Sequence, residues 1–320
     1  MGFSLFSGTL FLDAAQTGKK APSTHSARGI KVGTQPCFAT ASMPIPLSPS
    51  KSVRPASTDT PHFWAVLPCA GTGSRALPAG LSPSAQLLPK QYQILAGQPL
   101  VLHTLAAFAP VARLQGTLVA VAPEDHFLDD YANLSFFTVG CGGLTRAETV
   151  LGGLRALLTR GAHADDWALV HDAARCLVTP EQIDALIDDC MGDDVGGLLA
   201  HKLADTLKTA IAGPGGIRVA STVDRSDKWL AQTPQMFRIG ALIGAIERIG
   251  PTVTDEASAM EAIGLHPRLV QASALNFKVT YPDDFVLAEA VLAQRAHGGT
   301  LDRFGGERGV ASDAPARTIF

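Results

Sequence analysis

The segment FWAVLPCAGTGSR, residues 63–75, joins a short apolar run to a turn of small residues. An apolar run bounded by glycine is typical of a buried strand. Small residues let backbone N–H groups approach a polyphosphate closely, and Arg75 and the later Lys90 carry charges that would neutralise phosphate. The segment indicates either a phosphate-binding loop or an ordinary tight turn. It lacks the third glycine of a Rossmann fingerprint and the GKS or GKT of a Walker A loop.

Apolar strands and amphipathic helices alternate after this loop. Strands are predicted at 117–121, 167–170, 195–200, 268–271 and 276–279, and helices at 99–108, 145–159, 180–190, 239–249, 255–263 and 282–294. Because the strands are apolar rather than alternating, we expect an α/β fold with a Rossmann-like, mostly parallel sheet and helices on both faces. Ligands of such sheets bind at the carboxyl ends of the strands, so the chemistry should lie in the loops that follow them.

The segment 201–228 interrupts this alternation. It places Gly213-Pro214-Gly215-Gly216 between two polar arms that are capable of forming strands. The pattern predicts a β-hairpin arm that projects from the sheet. The alternative is a surface hairpin without a further role.

Composition limits the classes of function. The chain has 320 residues, of which 46% are hydrophobic and 17% charged, with a net charge of −3. It therefore has enough apolar residues for a sizeable core and no overall basic field for a nucleic acid. No apolar run is long enough to span a membrane. The five cysteines form no CxxC pair, which favours a reducing, cytoplasmic location over a disulfide framework or a zinc site.

The ends of the chain differ from its middle. Residues 1–60 are rich in Ser, Thr and Pro, with more basic than acidic residues. They indicate either a disordered or overlong start or a transit peptide, which would direct the protein to a plastid. Residues 61–297 should form the folded domain, and the Gly-, Arg- and Ala-rich residues 298–320 a flexible tail.

Several sequence blocks, in order, resemble one enzyme family. They are PCAGTGSR with LPKQY (68–75 and 88–92), GGLTRAETV (142–150), VHDAAR (170–175), TVDRSDKWLAQTPQMF (222–237) and TDEASAMEAIGLHPRLV with NFKVTYPDDFVLAE (254–270 and 276–289). Over roughly 63–295 they are similar to the 2-C-methyl-D-erythritol 4-phosphate cytidylyltransferases. The resemblance implies that 61–297 is a nucleotidyltransferase domain that joins 2-C-methyl-D-erythritol 4-phosphate to CTP. The products would be 4-diphosphocytidyl-2-C-methyl-D-erythritol and pyrophosphate, in non-mevalonate isoprenoid biosynthesis.

Two alternatives stay open beside this interpretation. The acceptor could be another polyol phosphate, such as ribitol 5-phosphate, because cytidylyltransferases of this kind share the CTP loop. A catalytically silent nucleotide-binding protein is the alternative from a different class, and the presence of both Arg75 and Lys90 argues against it.

The reaction that the resemblance implies needs cations more than a base. The nucleophile is a phosphate oxygen, which is already ionised, so the difficulty is to bring two anions together. The resemblance assigns this task to Arg75, Lys90, Arg225 and Lys278, with Mg²⁺ or another divalent cation bridging phosphate oxygens. It assigns nucleotide contacts to Cys69, Ala70, Gly71, Gly73, Gly143, Thr149 and Asp172. It assigns sugar-phosphate contacts to Asp172, Arg175, Thr206, Arg225, Thr233, Thr254 and Lys278.

Other residues receive roles from their sequence context. Asp172 is the candidate for holding the metal, and Glu256, at a predicted helix start, is expected to interact with the helix dipole. Cys176 is expected to be a buried small residue rather than a nucleophile, and His171 to have no catalytic role. Leu144 stands where the family often has an acidic residue.

Two expectations concern parts of the chain that would move or cross to a neighbour. The resemblance implies that the hairpin arm reaches a partner subunit, so that Arg225 completes the partner's site in a homodimer with shared active sites. The segment 76–89 is longer than usual in the family. We expect it to act as a lid that becomes ordered when the nucleotide binds.

Overall fold

The computed structural model describes residues 61–71, 88–131 and 135–304, with side chains as far as His297. The expectations for residues 1–60, for Gly73 and Arg75, for the lid up to residue 87 and for residues 305–320 lie outside the described residues. None of the helices in the described part combines the length and apolarity needed to cross a lipid bilayer.

Seven strands form the main sheet. They are β1 (Phe63–Pro68), β4 (Leu114–Ala120), β5 (Phe137–Val139), β6 (Trp167–Val170), β7 (Gly196–Lys202), β10 (Trp229–Arg238) and β11 (Arg268–Gln271). Their order is β11-β7-β10-β6-β1-β4-β5. Neighbouring strands are parallel except at β10, which runs antiparallel to both β6 and β7. The predicted α/β fold with a mostly parallel sheet is confirmed.

Strand β10 has no counterpart among the predicted strands. Its sequence WLAQTPQMFR contains Pro234 and polar residues, which are unusual in a central strand. The ladder to β7 accommodates them because its register shifts between Ala231 and Gln235. This interruption places Thr233 beside the end of β6, next to Asp172.

Helices cover both faces of the sheet. They are α1 (Leu100–Phe108), α2 (Arg146–Thr159), α3 (Pro180–Cys190), α4 (Ile239–Ile249), α5 (Glu256–Ala262) and α6 (Pro282–Phe304). Along β1, Ala65 and Leu67 pack into the core beneath α1 and α3, whereas Val66 packs into the core beneath α2, α4 and α5. Because successive strand residues point to opposite faces, this division gives the two buried layers expected of an α/β sheet.

The hairpin arm forms a sheet of its own. Strands β8 (Leu207–Gly213) and β9 (Gly216–Val223) pair with each other in an antiparallel ladder. Their turn is Pro214-Gly215, and Gly215 and Gly216 have φ angles of +77° and +123°, which favour glycine. The predicted hairpin is therefore present. A further short pair, β2 (Ile94–Leu95) and β3 (Gln98–Pro99), precedes α1.

Two predicted elements differ substantially from the structure, whereas the bounds of the others agree to within three residues. The helix predicted to end at 294 continues to Phe304. The strand predicted at 276–279 is wrong, because this segment is irregular. The buried Asn276 side-chain amide donates hydrogen bonds to Gln232 Oε1 and to the Thr233 carbonyl oxygen, and the Val279 N–H donates to the Ala174 carbonyl oxygen. These single contacts replace a strand ladder.

Candidate active site

A cleft of about 500 Å³ opens at the carboxyl ends of the adjacent strands β1 and β6. Its walls come from the loop after β1, the segment after the lid, the start of α2, the loop after β6 and Lys278. The lining residues are Pro68, Cys69, Ala70, Gly71, Lys90, Gln91, Gly143, Leu144, Thr145, Arg146, Thr149, Asp172, Ala173, Ala174 and Lys278. The cleft therefore brings together most of the nucleotide contacts predicted among the described residues.

The loop after β1 is held by a buried amide. The Gln91 side-chain amide donates to the carbonyl oxygens of Cys69 at 2.8 Å and of Gly71 at 2.9 Å. The Cys69 N–H donates to the Ala120 carbonyl oxygen at the end of β4. Burial raises the pKa of the Cys69 thiol to about 12, so it contributes a neutral thiol and a fixed backbone. Gln91 is a positioning residue that the sequence reasoning missed, although it lies within LPKQY.

The loop before α2 is fixed by its own side chains. Thr145 caps α2, because its hydroxyl accepts the Glu148 N–H and Glu148 Oε2 accepts the Thr145 N–H. The Gly143 N–H donates to Thr149 Oγ1 at 3.1 Å. A Cβ at Gly143 would lie 2.4 Å from the Glu148 Cβ, so this close approach requires glycine. Leu144 is fully exposed at the rim of the cleft.

Asp172, immediately after β6, is surrounded by cations. Arg146 Nε lies 3.0 Å from Oδ1, and Lys278 Nζ lies 2.8 Å from Oδ2. Arg175 Nε is farther away, at 3.7 Å from Oδ2. Burial opposes ionisation, but Arg146, Lys278 and Arg175 together hold the pKa of Asp172 well below its usual range. The cleft therefore contains a carboxylate whose two oxygens are both engaged by cations.

Arg146 and Glu256 form an ion pair that was not predicted. Arg146 Nη1 and Nη2 donate to the two Glu256 carboxylate oxygens, at 2.7 and 3.1 Å. Although burial alone would lower it, Glu256 and Asp172 raise the pKa of Arg146. Glu256 is only 2% exposed. Glu256 lies in the first turn of α5, as its expected interaction with the helix dipole requires, and its carboxylate also forms a bidentate pair with Arg146.

A chain of hydrogen bonds holds the backbone of Asp172. The His171 Nε2–H donates to the Arg175 carbonyl oxygen at 3.1 Å, because a carbonyl can only accept. Burial lowers the pKa of His171 to about 3, so the ring is neutral and Nδ1 accepts the Thr233 hydroxyl hydrogen at 3.0 Å. Thr233 Oγ1 in turn accepts the Asp172 N–H at 3.0 Å. Thr233, predicted to contact the sugar phosphate, is thus buried and bound to protein groups.

Lys278 is held in the cleft by contacts on either side of it. Arg175 Nη1 donates to the Asn276 carbonyl oxygen at 2.8 Å, and its Nη2 donates to the Ala231 carbonyl oxygen at 3.2 Å. Lys90 Nζ donates to the Val279 carbonyl oxygen at 2.6 Å. Arg175 therefore lies behind the cleft and anchors the segment that carries Lys278.

The remaining predicted residues lie outside the cleft. Thr206 and Arg225 are exposed at the base of the hairpin arm. Thr254 is exposed just before α5, and its hydroxyl lies 3.2 Å from Ser258 Oγ. Cys176 is 2% exposed and burial raises its pKa to about 12, so it does not supply a thiolate nucleophile.

The described residues do not form a site for a protein-held metal ion. No three His, Cys, Asp or Glu side chains gather into a metal-binding group within residues 61–71, 88–131 and 135–297. Asp172, the predicted candidate, directs both oxygens at Arg146 and Lys278. Its carboxylate does not fit the role of a metal ligand in this arrangement.

Comparison with known sequences gives consistent matches. A family model described as 2-C-methyl-D-erythritol 4-phosphate cytidylyltransferase matches residues 63–294. A bifunctional IspD/IspF enzyme of Albidiferax ferrireducens is 60% identical over 246 residues, covering 76% of this chain. A 2-C-methyl-D-erythritol 4-phosphate cytidylyltransferase of Burkholderia multivorans is 50% identical over 243 residues, covering 74% of this chain. The chain spans 56% of the length of the bifunctional relative and 99% of the Burkholderia one.

Comparison with solved structures agrees. A crystal structure of a 4-diphosphocytidyl-2C-methyl-D-erythritol synthase has a TM-score of 0.62 and 37% identity, over 73% of this chain and all of its own. The Francisella tularensis 2-C-methyl-D-erythritol 4-phosphate cytidylyltransferase has a TM-score of 0.58 and 30% identity, over 71% of this chain and 98% of its own.

Proposed function

The chain belongs to the 2-C-methyl-D-erythritol 4-phosphate cytidylyltransferase family, and we propose that it joins 2-C-methyl-D-erythritol 4-phosphate to CTP. The products are 4-diphosphocytidyl-2-C-methyl-D-erythritol and pyrophosphate, in non-mevalonate isoprenoid biosynthesis. One observation carries the proposal: Lys90, Arg146 and Lys278 line a single cleft at the carboxyl ends of β1 and β6, where Arg146 and Lys278 contact the Asp172 carboxylate.

The charges of this cleft suit a reaction between two phosphates. An oxygen of the acceptor phosphate forms a bond to the α-phosphorus of CTP, while the bond from that phosphorus to the bridging oxygen breaks. Pyrophosphate leaves with the electron pair. Because the attacking oxygen is already ionised, no side chain has to remove a proton from it. The cationic side chains lower the barrier because they stabilise the negative charge of the two phosphates as these approach each other.

The nucleotide occupies the side of the cleft formed by the loop after β1 and the start of α2. The backbone of 69–71 is fixed by Gln91 and follows the phosphates, while Gly143 and the neighbouring Thr149 form the wall against the cytosine. Lys90, beside the loop after β1, faces the phosphates. The second cation that the resemblance assigns to the nucleotide, Arg75, lies outside the described residues.

The sugar phosphate occupies the side of the cleft nearest Lys278. Lys278 binds the acceptor phosphate, and the Asp172 carboxylate accepts hydrogen bonds from the sugar hydroxyls. Thr233 and Arg175 act behind this side, because they hold Asp172 and the Lys278 segment in place. Thr254 lies just before α5 and does not line the cleft of the described residues, so its contact with the sugar phosphate stays a prediction.

Arg225 and Thr206 reach the site of a second copy. Both lie exposed at the base of the hairpin arm, whose strands pair only with each other among the described residues. Ile211, Ile217 and Val219 on the arm are more than half exposed, which is typical of a surface covered by a partner. A homodimer with shared active sites would bury these side chains and use Arg225.

A divalent cation such as Mg²⁺ enters with CTP rather than at a site built by carboxylates. Magnesium commonly keeps several waters and binds through substrate phosphates. Both oxygens of Asp172 are engaged by Arg146 and Lys278, so this carboxylate is not placed to hold the ion.

An acceptor test checks the proposal. The chain is incubated with CTP and Mg²⁺ and with either 2-C-methyl-D-erythritol 4-phosphate or ribitol 5-phosphate, and pyrophosphate release is measured. We expect release with the first acceptor, and loss of it when the metal is chelated. Release with ribitol 5-phosphate alone would assign the other acceptor, and no release with either would indicate a silent nucleotide-binding protein.

A further inference from the structure

Glu256 is a buried carboxylate that does not line the cleft. Its side chain is 2% exposed, and both of its oxygens accept hydrogen bonds from Arg146. It lies at the first residue of α5, whereas Arg146 lies at the first residue of α2, 110 positions earlier in the chain. Glu256 therefore cannot contact a ligand in the cleft. It does contact Arg146, which lines the cleft.

Arg146 connects Glu256 to the reacting centre. Its two Nη groups bind Glu256 while its Nε donates to Asp172 Oδ1 at 3.0 Å. Three of the five guanidinium N–H groups are thus used by two carboxylates. The planar guanidinium cannot rotate without breaking a charged hydrogen bond to one of them.

We propose that Glu256 is a positioning residue, which clamps Arg146 and thereby holds the Asp172 carboxylate at the angle that the acceptor requires. The inference rests on the proposed function for its kinetic consequence. Lys278 does not replace the clamp, because it binds the other carboxylate oxygen as a single rotatable ammonium. Without the clamp, Asp172 Oδ1 loses a donor of fixed direction.

A second Arg–Glu pair on the same helix provides a matched control. Arg155 on α2 contacts Glu247 on α4, with 2.7 Å between Arg155 Nη2 and Glu247 Oε1. Both side chains are about half exposed, and neither lines the cleft. Glu247→Gln therefore removes a carboxylate from an exposed Arg–Glu pair on the same helix without touching the site, so kcat/KM should stay within twofold of wild type.

The kinetic test is a double-mutant cycle of Glu256→Gln and Arg146→Met. Rates are measured below the melting temperature of each variant, so that a smaller folded fraction is not counted as lost catalysis. We expect Glu256→Gln to lower kcat/KM for the sugar phosphate at least tenfold. The double variant should match Arg146→Met within twofold, because Glu256 acts only through Arg146. Losses that multiply, or a lower melting temperature with unchanged kcat/KM, would overturn the proposal.

A crystal structure of Glu256→Gln tests the clamp independently of any substrate. We expect the Arg146 guanidinium to turn and its Nε to move beyond hydrogen-bond distance of Asp172 Oδ1. An unchanged Arg146–Asp172 contact would overturn the inference even if the wild type is fully active. A wild type that releases no pyrophosphate would refute the proposed function and leave this structural result to decide the clamp.

Discussion

The cleft and the hairpin arm use hydrogen bonds in opposite ways. Around Asp172, contacts join segments that are far apart in sequence: Arg146 to Glu256, Arg175 to Asn276 and Lys90 to Val279. In the arm, the backbone ladder joins β8 to β9 alone, and cross-strand pairs such as Thr209 with Ser221 repeat this local pattern. The cleft is therefore fixed by contacts between distant segments, whereas the arm is fixed by local pairing and leaves most of its side chains exposed.

The largest expected effect lies in the cleft, at Lys278. In Lys278→Ala the acceptor phosphate loses its cation and Asp172 loses a donor at 2.8 Å. One well-placed charged donor lowers the barrier by on the order of 3 kcal/mol, so its removal should lower kcat/KM roughly a hundredfold. Steady-state kinetics with the sugar phosphate measure the loss, and calorimetry should show little change in the dissociation constant of CTP. A CTP affinity that falls while acceptor use is unchanged would contradict the assignment.

The next prediction joins the two regions, through Arg225 of the arm and Lys90 of the cleft. Arg225→Ala and Lys90→Ala should each be nearly inactive alone. In an equimolar mixture, half of the randomly formed dimers are mixed, and each contains one site with both residues intact. Activity should then recover to about a quarter of wild type. Verified mixed dimers that stay inactive would show that each chain uses its own Arg225.

Replacing a threonine by valine should lower the unfolding free energy more in the cleft than in the hairpin arm. Thr233→Val leaves the Asp172 N–H and His171 Nδ1 without their buried partner, which should cost about 2 kcal/mol of unfolding free energy. Thr209→Val in the exposed arm should cost less than about 0.5 kcal/mol. Urea denaturation measures both values. Equal costs would remove the distinction, and a cost at Thr209 that depends on protein concentration would show that the arm is buried between copies.

At neutral pH the smallest effect is that of His171, which becomes measurable only as the pH falls. Burial lowers the pKa of His171 to about 3 from the model-peptide value of 6.5, so the unfolded chain binds a proton that the folded chain excludes between these values. The stability that the neutral ring contributes is complete above pH 6.5 and is lost as the pH falls toward 3. His171→Gln should therefore make unfolding free energy less dependent on pH in this window, by at most about 1.4 kcal/mol per pH unit.

Unfolding curves at several pH values check this difference. The chain has nine histidines, and the variant retains the other eight, so they serve as an internal control. Identical slopes for the two proteins would show that His171 is not the group that titrates.

Local signals in the sequence were sufficient for much of the fold. Helix α3 has the predicted bounds, Pro180–Cys190, because Thr179 caps it and Pro180 suits a first helical position. Strand β11 also has the predicted bounds, since its apolar run is short and isolated. Strand β10 was missed because its central role depends on a register shift that accommodates Pro234, and only the neighbouring strands specify that shift.

The site residues that lie within a recognisable motif could be predicted. Contacts between residues far apart in the sequence could not. The segments containing Gly143, Thr149, Asp172 and Lys278 were identified by resemblance, and the structure brings these residues to one cleft. The pair of Glu256 with Arg146 was missed because the two residues are remote in sequence, whereas the helix start at Glu256 is a local signal. A buried charge is recognisable only when the group that neutralises it is known.

The 2.6 Å bond from Lys90 to the Val279 carbonyl has a consequence for how each substrate affects the affinity for the other. It ties the segment expected to meet CTP to the residue next to Lys278. We expect a triphosphate that draws the Lys90 ammonium toward itself to weaken this bond and so to affect the position of the neighbouring Lys278. Occupancy by one substrate then changes the affinity for the other by the same factor in both directions. Initial rates measured while the concentrations of both substrates are varied would show whether each substrate changes the affinity for the other.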